Sequence, residues 1–160
     1  MYETENDIPQ KRRVELCTLM NLRLSDAIDL QMQMKQAHWN VKGPHFIGLH
    51  ELFDQIGASI VEYVDTIAER IVQLGGIAEG TIRISSSRSR LAEYPLAISE
   101  GPTHIEAVAK ALSRFGEEVR ASINEAESLE DAGSADIFTE VSRGIDKWLW
   151  FVEAHTQALK

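Results

Sequence analysis

The sequence predicts an all-α protein: four long helices in a bundle, with a short extra helix in a long connection between the second and third. Three observations lead there. Apolar residues recur at helical spacing through nearly the whole chain. Glycine and proline punctuation cuts that pattern into four long segments. A length of 160 residues with 44% apolar content fits one domain with a continuous core. No internal repeat or composition shift marks a second domain, so residues 1–160 read as one unit with a short N-terminal tail at 1–8.

The first helix begins near Pro9, a favourable first-turn residue, and runs to about Val41. Its apolar stripe is Val14, Cys17, Leu24, Ile28, Gln31 and Met34, with His38 in phase. Val41-Lys42-Gly43-Pro44-His45 reads as a tight turn. The second helix spans about Phe46 to Leu74, where Gly75-Gly76 stops it. Residues 77–101 are irregular and rich in Ser and Arg, with a short helix around Ile82 and Ile84. Thr103, with Glu106 three residues on, suggests a capping box opening a third helix that continues to about Leu129. The fourth runs from about Ser134 to Ala158 through Ile137, Val141, Ile145, Trp148, Phe151 and Val152. A bundle with one long crossover results.

Composition narrows the function classes. No apolar run approaches the roughly 18 residues a membrane span needs, so no membrane role is expected. The N-terminus carries Glu3, Glu5 and Asp7 without an apolar signal segment, and Cys17 is the single cysteine, on an apolar face. Both point to the cytoplasm. A net charge of −9, from 16 basic and 25 acidic residues, argues against a general polyanion binder. Residues 1–8 contain no Lys or Arg, and the basic cluster Lys11-Arg12-Arg13 and the looser group Arg83, Arg88 and Arg90 read as surface charge.

Five side chains carry metal chemistry: His38, His50, Asp54, Asp65 and Glu69. Taken singly, each histidine reads as a core or surface residue and each carboxylate as solvated charge. Their spacing changes that. His50/Asp54 and Asp65/Glu69 are i,i+4 pairs, and all four fall within an arc of roughly 100° on the second helix. The pairs stand about 22 Å apart along the axis, too far for one metal. Two copies packed antiparallel about a two-fold axis between Ser59 and Ile60 would bring one pair against the other, twice, crossing at Gly57, Ala58 and Ser59. Phe53, Ile60, Val61, Val64, Ala68 and Val72 share or flank the stripe, and carboxylates on a buried face need a partner such as a cation. His38 and His50 lie equally far from Pro44, so a hairpin sets them opposite each other. A two-His, three-carboxylate set shared between subunits suits iron and admits zinc or manganese. No histidine has a Glu three residues before it, which counts against a di-iron site inside one subunit.

The runs Lys35-Gln36-Ala37-His38-Trp39-Asn40-Val41-Lys42-Gly43 and Phe46-Ile47-Gly48-Leu49-His50-Glu51-Leu52-Phe53-Asp54 closely resemble the Dps family of ferritin-like proteins. So do Tyr63-Val64-Asp65-Thr66-Ile67-Ala68-Glu69-Arg70, Gln73-Leu74-Gly75-Gly76 and Asp146-Lys147-Trp148-Leu149-Trp150-Phe151. The resemblance covers nearly all of the chain after about position 10, and the family's five ferroxidase ligands match without departure.

It implies a hollow homo-oligomeric shell, a dodecamer, that oxidises Fe²⁺ with hydrogen peroxide or oxygen and stores ferric mineral. Asp54 and Glu69 would be the tightest carboxylate ligands, with Asp65 weaker or water-mediated. Such a protein protects against oxidative stress. The resemblance places an indole, here Trp39, beside the oxidation site as a radical trap, with Tyr63 a lesser candidate. It also places an acidic iron-entry pore at Asp131, Asp136 and Glu140, residues whose plain reading is as caps or solvated charge. Many members bind DNA through a Lys-rich terminal arm, which residues 1–8 lack. The alternative reading is a nucleoid DNA-binding protein with a secondary metal site. His45, His104 and His155 are assigned no ligand role.

Overall fold

The computed structural model describes residues 1–157. Five helices follow one another: α1 (Gln10–Asn40), α2 (Phe46–Gln73), α3 (Ile82–Arg88), α4 (Gly101–Ser128) and α5 (Ala132–Gln157). The expected all-α bundle with one short helix in the long connection is the observed one. The end expected for the last helix at Ala158 lies outside the described residues. No described helix is long and apolar enough to cross a membrane.

α1 packs chiefly on α2 and α4 chiefly on α5, and the two hairpins meet mainly through α1 and α4. The core runs the length of the bundle, from Leu16, Met20 and Leu24 through Phe53, Ile60, Phe115 and Phe138 to Ile145 and Val152. Not every residue of the expected α1 stripe joins it. Val14 is exposed, while Leu16, Met20, Ala27, Leu30 and Ala37 are buried, so the core-facing stripe is rotated towards them. Cys17 is buried, and burial pushes its thiol pKa up despite the nearby Arg13 charge. That environment suits an unreactive packing residue.

Gly75 and Gly76 end α2 for two separate reasons. Gly75 takes φ +81° while its N–H bonds to the Val72 carbonyl at 2.9 Å, and the Gly76 N–H bonds to Ile71 at 2.9 Å. This is a Schellman cap, which favours glycine at the left-handed position. At Gly76 a Cβ would stand 2.5 Å from Cys17 Sγ, so close packing on α1 demands the second glycine. α4 ends by the same bonding pattern, yet Glu130 occupies the left-handed position with φ 56°.

The start of α4 differs from expectation. The helix begins at Gly101 with Pro102 in its first turn and no side-chain cap. Thr103 Oγ1 donates to the Glu100 carbonyl at 2.7 Å, and Glu106 pairs with Lys110, so no capping box forms. Proline, with no N–H to satisfy and φ already helical, starts the helix instead. Lys42 N–H bonds to the Ser99 carbonyl at 2.8 Å, tying the α1–α2 turn to the start of α4.

Candidate metal centre

The α1–α2 hairpin sets the two histidines face to face, as their equal distance from Pro44 requires. Their rings stack with centroids 3.7 Å apart and planes 20° from parallel. Each backs onto the other's main chain: His38 Nδ1 bonds to the His50 carbonyl and His50 Nδ1 to the His38 carbonyl, both at 2.8 Å. A carbonyl can only accept, so each Nδ1 carries the hydrogen. In the neutral ring each Nε2 is then left with a free lone pair. This is how a metal-binding histidine is held, with its second nitrogen anchored to fix tautomer and orientation. Phe46 stands 5.0 Å from the His50 ring and covers one side.

Asp54, one turn beyond His50, is paired with Lys35 from α1. The hydrogen bond from Lys35 holds its carboxyl below the usual range, helped by the Lys35 charge and the two imidazoles. Lys35 sits one turn before His38, so i,i+3 spacing placed it on the ligand face. A protonated lysine is no metal donor, so spacing alone gives Lys35 no role beside the histidines.

Asp65 and Glu69 are exposed and, among the described residues, form no ion pair. Nor do any three His, Cys, Asp or Glu side chains among the described residues of the chain converge closely enough to hold a metal. Within the chain the structure sets His38 against His50, with Asp54 one turn beyond on Lys35, and leaves Asp65 and Glu69 farther along α2. The stripe bearing His50, Asp54, Asp65 and Glu69 is not the face buried within the chain. Phe53, Ile60 and Ile71 enter the core, whereas Val61 and Val72 are exposed beside the acids. Gly57, expected at a two-fold crossing, is buried instead against α1, where a Cβ would stand 3.6 Å from Met34 Cβ. Ala58 remains exposed.

The remaining expected site residues divide. Trp39 is 61% exposed and lines a groove of about 560 Å³ with Met32, Ile82, Tyr94 and Leu96. Tyr63 is half-buried under Gly144, and burial with the nearby Glu140 charge raises its pKa. Asp136 and Glu140 are exposed on α5. Asp131 follows the plain reading, that of a cap. It is 4% exposed, takes Arg70 Nη2 on both oxygens at 2.9 Å, accepts from Ser134, and receives the Gly133 N–H at 3.1 Å. Burial alone would raise its pKa, but the Ser134 and Arg70 hydrogen bonds and the Arg70 charge hold it below the usual range. Asp131, rather than Asp136, is therefore the carboxylate that caps α5, and its oxygens are already engaged.

His45 precedes α2 and is exposed, and His155 Nδ1 bonds to the Phe151 carbonyl near the end of α5. His104 is unlike them, being 1% exposed and bonded through Nδ1 to Tyr94 Oη at 2.7 Å. Its phase with Val108 and Ala111 marks it as core-facing. The distant Tyr94 could not be read from spacing.

The antiparallel bundle with its long crossover and inward-anchored histidines defines a ferritin-like protein, and the ferritin-like domain model matches residues 17–160. The DNA protection during starvation protein of Agrobacterium fabrum (strain C58) is 41% identical over 156 residues, 98% of this chain and 96% of that one. The solved structure described as Mycobacterium smegmatis Dps, tetragonal form, superposes with a TM-score of 0.91 at 31% identity, covering 96% of this chain and 93% of that chain. DpsA14 from Streptomyces coelicolor gives 0.92 at 31% identity, covering 99% and 93%. The chain belongs to the Dps family of ferritin-like proteins.

Proposed function

We propose that the protein is a ferroxidase that stores its product, with dinuclear sites built between two copies from His38, His50 and Asp54 of one and Asp65 and Glu69 of the other. The observation that carries this is the reciprocal anchoring of His38 and His50 through Nδ1, which leaves both Nε2 lone pairs for a metal, with Asp54 one turn beyond His50. Exposed apolar residues support the second copy. A two-fold axis at 59.5 pairs residue 50 with 69 and 54 with 65. The same axis sets exposed Ile47 against Val72, and Ala58 against Val61. Ligands and apolar contacts thus obey one symmetry.

At such a site two Fe²⁺ each give one electron to one hydrogen peroxide; with two protons the products are two Fe³⁺ and two water molecules. Oxygen is the slower oxidant in this reading, and zinc competes for the same donors. The ferric product is stored inside a dodecameric shell. Removing iron and peroxide together limits hydroxyl-radical formation in the cytoplasm. Asp136 and Glu140, one turn apart on α5, draw Fe²⁺ to the shell; Asp131 supports them structurally, its charge being spent on Arg70. Trp39 lies beside His38 as a sacrificial electron donor.

DNA binding is not part of this reading, despite the relatives' printed name. Residues 1–8 hold no Lys or Arg, and the Tyr2 N–H is bonded to the Gly75 carbonyl at 2.7 Å. A gel-shift assay at low and physiological salt should show no complex at the higher salt; a complex surviving there would restore the nucleoid alternative.

Anaerobic Fe²⁺ titration followed by peroxide, watched optically, tests the main reading. The wild type should oxidise iron rapidly, while the combined His38→Ala and His50→Ala variant slows by more than about 100-fold, beyond the loss of an outer-shell partner. Size-exclusion mass should stay unchanged. Wild-type rates in the double variant would move the chemistry elsewhere.

A further inference from the structure

Tyr94 and His104 form a buried pair that the ligand set does not use. Tyr94 comes from the long connection and is 7% exposed; His104, in the first turn of α4, is 1% exposed. Tyr94 Oη lies 2.7 Å from His104 Nδ1. Burial raises the phenol's pKa well above its ordinary value and lowers that of the imidazole, so the proton rests on oxygen and the ring is neutral. His104 Nδ1 is therefore the acceptor. Nε2 carries the other hydrogen and has no well-formed bond, although the carbonyls of Ile98 and Asn40 favour the charged ring.

The pair adjoins the candidate centre through two elements. The His104 ring is 6.4 Å from that of Phe53, three residues beyond His50, or about 4.5 Å of axial rise. Asn40, whose carbonyl faces His104, is two residues after His38. Tyr94 also lines the groove that holds Trp39.

A phenol is hard to oxidise unless its proton leaves with the electron, and a neutral imidazole at hydrogen-bond distance can take that proton. Water has little access to compete for it. We infer that Tyr94 and His104 act as a proton-coupled electron donor to one-electron oxidants formed at the metal centre. The inference rests on the ferroxidase reading. When a single Fe²⁺ meets peroxide, the products are Fe³⁺, hydroxide and hydroxyl radical. Tyr94 gives one electron to that radical, which becomes hydroxide, and the phenolic proton moves to His104 Nδ1. A neutral phenoxyl and an imidazolium remain. A second Fe²⁺ then returns an electron, His104 returns the proton, and the phenol is restored with formation of Fe³⁺. His104 is a positioning residue and proton acceptor here; Tyr94 is the redox group.

The test is freeze-quench electron paramagnetic resonance on the intact assembly, loaded anaerobically with sub-stoichiometric Fe²⁺ and mixed with peroxide. A second arm replaces iron and peroxide by flash-quench oxidation with a ruthenium polypyridyl complex. Wild type should give a tyrosyl signal in both arms. That signal should be lost in Tyr94→Phe, which keeps the ring and the packing. In His104→Gln it should form more slowly, lose its deuterium solvent isotope effect, and show the low-field g shift of a phenoxyl without its histidine hydrogen bond. A wild-type tyrosyl spectrum persisting in Tyr94→Phe would overturn the inference, as would iron oxidation without any Tyr94 signal. Failure of iron oxidation, with the flash-quench signal intact, would sink the ferroxidase reading while leaving the pair's redox competence established. An absent flash-quench signal would sink the pair itself.

Discussion

The α1–α2 turn and the α4–α5 junction both gather polar side chains at an end of a helical hairpin, and they use them in opposite ways. At the turn, His38 and His50 anchor one nitrogen each and leave the other free, and Asp54 holds only a long, flexible lysine. At the junction, Asp131 is closed in by Arg70, Ser134 and the Gly133 N–H. A carboxylate whose oxygens are engaged inside the chain serves the fold. Donors left open at a half-buried rim are free to serve a ligand. The two regions should therefore respond differently to the same kind of mutation.

The largest contrast is expected between the paired histidine substitutions and Asp131→Ala. The first should abolish rapid iron oxidation but change the chemical unfolding midpoint little. Asp131→Ala strands Arg70 and uncaps α5. It should cost about 2–3 kcal/mol, below the roughly 3–5 for a fully buried pair because Arg70 keeps 17% exposure. Iron affinity at the centre should be retained. If Asp131→Ala left stability unchanged and impaired iron handling, the division between the regions would be broken.

Acid should separate them next. The Asp131 pKa is depressed in the fold, so its contribution is fully present above the unfolded value of about 3.9 and is lost as pH falls through the lower folded value. The stability difference between wild type and Asp131→Asn should shrink from pH 5 towards pH 3 in denaturant titrations. A constant difference would mean that Asp131 acts through shape, not charge.

A smaller effect belongs to the exposed acids beyond the junction. Asp136→Asn with Glu140→Gln should slow iron uptake several-fold at low salt and flatten its salt dependence, since a steering field is screened over about 8 Å at physiological ionic strength. Oxidation of iron already bound should keep its rate. Uptake equal to wild type at low salt would move the entry route. The smallest change is expected at Glu130→Gly. Relief of the left-handed strain offsets loss of the exposed Arg12 pair and the backbone entropy of glycine, leaving a shift within about 1 kcal/mol.

What the sequence by itself determined are the features carried by local periodicity: the four long helices, the glycine stop after Leu74, and the opposition of His38 and His50 across Pro44. The i,i+4 spacing of His50 with Asp54 and of Asp65 with Glu69 was legible for the same reason, because a helix repeats its geometry every 3.6 residues wherever it lies. Only the tertiary structure decided which polar groups were already satisfied. Asp131 looked like Asp136 until Arg70, 61 residues away, closed on it. Gly57 looked like a crossing point until Met34 covered it, and Tyr94 met His104 only because the long connection folds over the start of α4. These assignments depend on contacts between segments whose approach no local pattern records, since hydrogen-bond partners and burial are set by packing, not by residue type.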